Sequence, residues 1–316
     1  MALSTLARRS WKLCAAAEGF GFDAWSKKRG FYLSLERSVG KHEGSDKALI
    51  ASSQFHCYVT PDLPDEASIS TPNIFAPPGM LNVRTVAAQV REEDELLELM
   101  AERSEVADAL LLVSGSDRHR QQGQEHWFDS CWMLEQAKYM KMDGEIPDWV
   151  ELWAVANPMI ETTIQKVKYK AKLGAETIIT QPPLAWKPFK RWWDKVQKSR
   201  TCQSVRFIVG LPFITSTTNY QFWTKLCECQ SQEDVKGILR KANNLSGQEE
   251  EKLWRNWNMQ LIDRIAELHG LGGVHFMPLN SKAHKLAKDT LKHHLLPALQ
   301  LDVDDEIRDE ERPDSL

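Results

Sequence analysis

The stretch "ELWAVANPMIETTIQKVKYKAKLGAETIITQ", residues 151–181, holds a complete strand–helix–strand unit. "ELWAVA" (151–156) is a short apolar run of strand length. Within residues 161–174, Ile164, Val167 and Ala171 recur at spacings of three and four, which predicts a helix packed on one face. Gly174 closes that helix, and "ETIITQ" (176–181) supplies a second β-branched run. Pro182 and Pro183 then forbid its continuation, so the run stops on a polar amide, Gln181. A strand that ends this way presents the amide to something.

The same alternation extends in both directions. Strands are expected at "FYLSLE" (31–36), "FHCYVT" (55–60), "VRTVAA" (83–88), "ALLLVS" (109–114), 151–156, 176–181, "VRFIVGL" (205–211) and "GGVHFMPL" (272–279). Helical patterns such as "EEDELLELMAER" (92–103) lie between them. This repetition predicts an α/β chain folded as a parallel (β/α)8 TIM barrel, a single domain over residues 20–298. A doubly wound open sheet is the competing arrangement. Its usual mark, G-x-G-x-x-G after the first strand, is absent there; Gly19-Phe20-Gly21 and Gly270-Leu271-Gly272-Gly273 are partial matches only.

Composition narrows the function classes. The 316 residues are 42% hydrophobic and 27% charged, ordinary for a soluble globular protein. A formal net charge of −4 offers no electrostatic case for nucleic acid or an anionic membrane surface. No apolar run approaches the roughly 18–20 residues of a membrane span. The cysteines at 14, 57, 131, 202, 227 and 229 form no C-x-x-C pair, so reduced, structural thiols in an intracellular, cytoplasmic setting are expected. Cys227 and Cys229 are read as lying on different faces of a helix. Residues 1–19 carry Arg8, Arg9 and Lys12 with no acid before Glu18, a pattern shared by organellar (mitochondrial or plastid) presequences and by basic amphipathic first helices. Residues 299–316 are acidic with little to bury, and are expected to be a solvated, disordered tail.

In a barrel of this kind the chemistry sits at the C-terminal ends of the strands. Those ends carry Glu36, Thr60, Gln89, the run Ser114-Gly115-Ser116-Asp117, Asn157 and Gln181, while the last strand carries His275 and leads to Asn280. No metal set emerges: His119 and His126, and the pair His293-His294, read as surface histidines. There is neither a G-x-S-x-G elbow nor a P-loop. A rim rich in amides and poor in nucleophiles suits a heteroaromatic cofactor or substrate, the hard chemistry being the cofactor's. Read singly, Glu36 is either a solvated strand-end carboxylate or a catalytic acid, and His275 either a hydrogen-bonded barrel residue or a ligand contact. Trp193 is expected to pack; Trp186, beside Trp192, is open between packing and an oligomer or partner surface.

Taken in order, "RGFYLSLERSVGKHEG", "CYVTPD", "ELWAVANP", "KVKYKAKL" with "GAETIITQ", and "GLGGVHFMPLN" resemble the methylenetetrahydrofolate reductase family in its short, single-barrel form, over about residues 20–296. The resemblance implies FAD at the top of the barrel, NADH or NADPH as electron donor, and reduction of 5,10-methylenetetrahydrofolate to 5-methyltetrahydrofolate. It implies that Glu36 is the general acid that opens the folate imidazolidine ring, and that Gln181 hydrogen-bonds the pterin. His275 is carried beside them as a candidate substrate contact on its own reading. Thr60, Gln89, Gly115, Ser116, Ala156, Asn157 and Lys170 fall where the family lines its FAD, Lys170 as a point charge toward the pyrophosphate.

The chain also departs from the pattern. Ser116 stands where the family has an aspartate after the strand-four glycine, with Asp117 one step later. Asn157 and Met159 replace a tyrosine and a glutamate common in one branch. Pro182 and Pro183 replace apolar or aromatic residues, and no paired prolines follow Glu36. The regulatory domain of the larger enzymes is missing, so inhibition by S-adenosylmethionine is not expected. A non-catalytic relative, keeping the barrel as a binding or assembly subunit, homo-oligomeric or with a partner, is the second reading.

Overall fold

A computed structural model describes residues 30–37, 43–51, 55–62, 76–88, 91–115 and 128–299. Gln89, Ser116, Asp117, His119, His126, residues 1–19 and the tail from residue 300 lie outside the described residues.

The strands are β1 (Tyr32–Glu36), β2 (Cys57–Thr60), β3 (Leu81–Ala87), β4 (Ala109–Val113), β5 (Glu151–Ala156), β6 (Thr177–Thr180), β7 (Arg206–Leu211) and β8 (Gly273–Phe276). Each pairs in parallel with the next, and β8 with β1, closing the expected eight-stranded barrel. The helices are α1 (Glu43–Ile50), α2 (Glu93–Ser104), α3 (Ser130–Asp143), α4 (Gln165–Lys172), α5 (Trp186–Gln197), α6 (Thr217–Leu226), α7 (Glu233–Ala242), α8 (Gln248–Ala266), α9 (Ser281–Thr290) and α10 (Leu296–Ala298). None of them is long and apolar enough to cross a membrane.

Local chemistry sets the helix ends. Asp129 caps α3 by accepting from the backbone N–H groups of Cys131 and Trp132, and Gly144 ends it in the left-handed region at φ +80°. α4 begins at Gln165 rather than Glu161, because residues 157–161 form a turn in which the Glu161 carboxylate accepts from the Asn157 N–H. Cys227 and Cys229 are not on a helix. They occupy the elbow between α6 and α7, where Glu228 takes a left-handed φ of +54° and ends the helical run.

Strand alternation divides the core into two layers. Cys57, Val59, Leu81, Val83, Ala109, Leu111, Trp153, Ile179 and Ile208 fill the lumen. The alternate residues, among them Leu33, Leu35, Ile178, Val209 and Val274, pack against the helices. Trp153, Trp193, Trp223 and Trp254 are fully buried, each stabilising by about 2–3 kcal/mol through apolar burial. Trp193 also donates to the His269 carbonyl at 2.9 Å, whereas Trp186 is half-buried with the Arg264 guanidinium 5.7 Å above its ring.

The N-terminal floor of the lumen is sealed. The Arg206 guanidinium lies 4.0 Å above the Tyr32 ring, donates to Thr177 Oγ1 at 3.0 Å and sits 3.7 Å from Glu151. Glu151 in turn accepts from the Trp153 indole at 2.8 Å. Burial pushes the Tyr32 hydroxyl far above the ordinary tyrosine range, so it remains neutral.

The seam that closes the barrel joins the first strand to the last. Gly273 lies so close to β1 that a Cβ there would sit 2.3 Å from the Tyr32 carbonyl oxygen. Outside the seam, α1 and α9 are tied by buried groups. His284 Nε2 lies 2.8 Å from Asp46 Oδ1, and Tyr58 donates to Asp46 Oδ2 at 3.1 Å. His284 Nδ1 faces the Asn280 carbonyl at 2.9 Å and must donate to it. One further proton is therefore shared between Nε2 and Oδ1.

Candidate functional site

At the C-terminal mouth, β1 turns Ser34 and Glu36 inward by the same alternation that buries Leu33 and Leu35 outward. The β1–β8 register sets Ser34 opposite His275, also inward. The result is a chain of polar groups across the seam. Ser34 Oγ lies 2.9 Å from His275 Nδ1, and His275 Nε2 lies 3.4 Å from Glu36 Oε2. His275 is only 2% exposed while the Glu36 side chain is 32% exposed. The carboxylate is thus the end that a ligand in the mouth can touch, and the imidazole and hydroxyl stand behind it. Gly210 pairs with His275 from the other side. A Cβ at Gly210 would lie 2.7 Å from the Thr180 carbonyl oxygen, so β7 can bring no side chain there.

Gln181 follows β6, two residues beyond the lumen residue Ile179, which sets it at the inner rim. Its backbone N–H donates to the Ala156 carbonyl at 2.8 Å, and its side-chain Oε1 lies 3.6 Å from Cys227 Sγ. The α6–α7 elbow leans over this part of the rim. Asn157 Nδ2 donates to the Cys227 carbonyl at 3.0 Å, Gln232 Nε2 donates to the Met159 carbonyl at 3.4 Å, and Tyr220 donates to the Leu184 carbonyl at 3.3 Å.

Two of the other rim residues face the outer layer. Thr60 has the parity of Tyr58 and Ala156 that of Ala154, on the helix side of their strands. Thr60 Oγ1 and Thr180 Oγ1 are buried with no hydrogen-bond partner among the described residues. Asn157 is held at both ends of its amide, its Oδ1 accepting from the Met159 N–H at 3.1 Å while its Nδ2 serves Cys227. Gly115 follows β4 in the left-handed region at φ +82°, which a side chain would resist.

Lys170, on α4, is 5% exposed and donates to the Val155 carbonyl at 2.5 Å. Burial lowers its pKa, against an opposing pull from Glu161. Among the described residues that carbonyl is its one acceptor, although an ammonium has three donors. His294 and Asp263 form a pair at 2.8 Å away from the mouth.

For a flavin the residues fit unevenly. A buried ammonium with a single described acceptor and a glycine in the left-handed region are what a diphosphate and an approaching ring would use: Lys170 and Gly115. Thr60, turned to the helix side of β2, does not present its hydroxyl to the mouth. Asn157 fits less well, because each end of its amide is already held by the chain's own loops.

Beside the mouth, Asp62 follows β2 and gathers the ends of β2, β3 and α2. It accepts from Arg91 through both oxygens, from Arg103 Nη2 at 3.0 Å and from the Ala87 N–H at 2.8 Å. Sequence reasoning passed over Asp62 and Cys227 because neither ends a strand. Ser34 was within reach of it: Ser34 and Glu36 are two apart in a strand and share a face.

No protein-family model matches the chain, and no curated protein matches it. Solved structures do. One, an uncharacterized protein from Clostridium thermocellum that binds two copies of 5-methyl-5,6,7,8-tetrahydrofolic acid, is similar with a TM-score of 0.50 at 16% identity. The match covers 83% of this chain and 95% of that one. At that identity the likeness concerns the fold: both chains are built on the same barrel plan.

Proposed function

We propose that this chain binds a reduced folate in the C-terminal mouth of its barrel and reduces 5,10-methylenetetrahydrofolate to 5-methyltetrahydrofolate with NADH or NADPH. The observation that carries the reading is the Ser34–His275–Glu36 chain, a carboxyl group open to the mouth and backed by a buried imidazole. The folate-binding barrel from Clostridium thermocellum supports the ligand class. The sequence resemblance supports the reaction.

In this reading the Glu36 carboxyl donates a proton to N10 of the imidazolidine ring. The bond from N10 to the bridging carbon breaks, and the N5 lone pair forms the N5 iminium. His275 Nε2, facing Glu36, holds the proton that restores the carboxyl, and Ser34 fixes the ring through Nδ1. Gln181 orients the pterin from the opposite side of the mouth. Gly115 and Lys170 would hold FAD, which supplies the hydride when bound.

A second reading, folate binding without reduction, is favoured by one observation: the amide of Asn157, a position that lines FAD in the family, is held at both ends by the protein's own loops.

The test has two parts. The visible spectrum of the purified chain is recorded after FAD is added and the protein desalted, and 5-methyltetrahydrofolate is titrated calorimetrically. The reductase reading expects a retained flavin spectrum, folate binding, and a Glu36→Gln variant that loses folate reduction while its flavin is still reduced by NAD(P)H. Folate binding by a colourless protein establishes the second reading, and absence of folate binding refutes both.

A further inference from the structure

The elbow between α6 and α7 is built more tightly than a connection requires. Glu228 holds a left-handed φ of +54°, uncommon for a residue other than glycine. Hydrogen bonds fix the chain on both sides of it. The Cys227 N–H donates to the Trp223 carbonyl at 2.9 Å, the Cys229 N–H to the Thr224 carbonyl at 3.0 Å, and the Gln232 N–H to the Cys229 carbonyl at 3.0 Å. From across the rim, Asn157 grips the Cys227 carbonyl. What this construction delivers is one thiol, fully buried, against one amide oxygen, Gln181 Oε1.

The chemistry of that contact is directional. Burial pushes the Cys227 thiol well up from its ordinary range, so it stays an S–H, able to donate. An S–H facing an amide favours the amide oxygen over the NH2 group. Gln181 therefore has its acceptor engaged within the protein and its Nε2 donors left for the mouth. A glutamine free to turn would serve donor and acceptor ligands alike; this one serves an acceptor.

We infer that Cys227 is a positioning residue that fixes the amide of Gln181, so that the site selects a heterocycle presenting a hydrogen-bond acceptor at that point. The inference rests on the folate reading of the mouth, in which that acceptor is the pterin 4-oxo group.

The experiment titrates the full chain with 5-methyltetrahydrofolate and with the same compound bearing an amino group in place of the 4-oxo group. Wild type should prefer the 4-oxo compound by about tenfold or more, the discrimination expected where a site hydrogen-bonds one group and not its replacement. In Cys227→Ala the amide can turn, and the preference should fall to about threefold or less. In Cys227→Ser, whose hydroxyl still donates, the preference should persist. Thermal melting of each variant controls for folding. A mere loss of packing would weaken both ligands together and leave their ratio unmoved. An unchanged ratio in a folded Cys227→Ala overturns the inference while leaving the folate reading intact. Should that variant not fold, absence of a 4-oxo preference in wild type, or its loss in Cys227→Ser, overturns it equally. Binding of neither compound by wild type removes the folate reading and the inference with it.

Discussion

Replacing Asp62 with asparagine tests the clamp beside the mouth. The Asp62 side chain is 2% exposed, and the Arg91 and Arg103 side chains that donate to it are 15% and 16% exposed. Burial of the carboxylate works to raise its pKa. Hydrogen bonds from Arg91 and Arg103 outweigh that, and with the Ala87 N–H they hold it below its ordinary 3.8. Removing one partner of a buried ion pair costs about 3–5 kcal/mol, because the remaining charge is left without compensation. Asparagine keeps one acceptor oxygen, so we set the loss for Asp62→Asn near the low end, about 3 kcal/mol. For a chain of this size that corresponds to a fall in Tm of roughly 4–5 °C. The sign with pH follows from the depressed folded value. The stabilisation is complete above the unfolded carboxylate's range and is lost as pH falls through the lower folded value. Melting curves followed by circular dichroism at pH 7 should separate the two proteins, and below the ordinary carboxylate value of 3.8 the advantage of wild type should shrink. Adding Arg103→Gln to Asp62→Asn should cost less than the two changes separately, since the guanidinium no longer lacks its partner. A variant melting within about 1 °C of wild type at neutral pH would refute the reasoning.

Ala at Gly273 would force its Cβ into the Tyr32 carbonyl, so Gly273→Ala should lower stability by about 3 kcal/mol or more, or prevent folding, as read by soluble yield and Tm. His284→Gln removes the imidazole between Asp46 and the Asn280 carbonyl and should cost about 2–3 kcal/mol, measured by denaturant unfolding; Asp46→Asn in the same background should then add little. His275→Asn should slow folate reduction by about a hundredfold with ligand affinity changed only a few-fold, and Ser34→Ala should do the same more weakly; steady-state rates beside a binding titration tell the difference.

The barrel was legible because every strand is buried on both faces and therefore reads as a compact apolar run. "ELWAVA" and "ALLLV" are found as β5 and β4 with their expected starts, and "ETIITQ" contracts to Thr177–Thr180 because the amide and the prolines after it leave the sheet. Side-chain direction was less legible. Thr60 and Gln181 both stand at strand ends, yet their neighbours' parity sends Thr60 toward the helices and Gln181 toward the lumen. Deciding this needs the position of each strand's inward face, which hydrophobicity does not mark when both faces are apolar. The Asp62 clamp was invisible for another reason. It joins residues 29 and 41 positions away, and nothing local in "TPDLPD" distinguishes a buried carboxylate from a turn aspartate. Cys227 escaped similarly: its role depends on the contact with Gln181, 46 residues earlier.

The β1–β8 seam also governs how the chain comes off the ribosome. Its hydrogen-bonded partners Ser34 and His275 are 241 residues apart, and the buried Asp46–His284 tie outside it spans 238. At about 5–20 residues per second, β1 waits on the order of 10–50 seconds for β8 to be made. Throughout that interval one edge of a growing parallel sheet stands without its neighbour, an opening for pairing with another nascent chain. The fold is complete only when nearly the whole polypeptide has been synthesised, so a truncation before β8 leaves an open, association-prone sheet and no mouth.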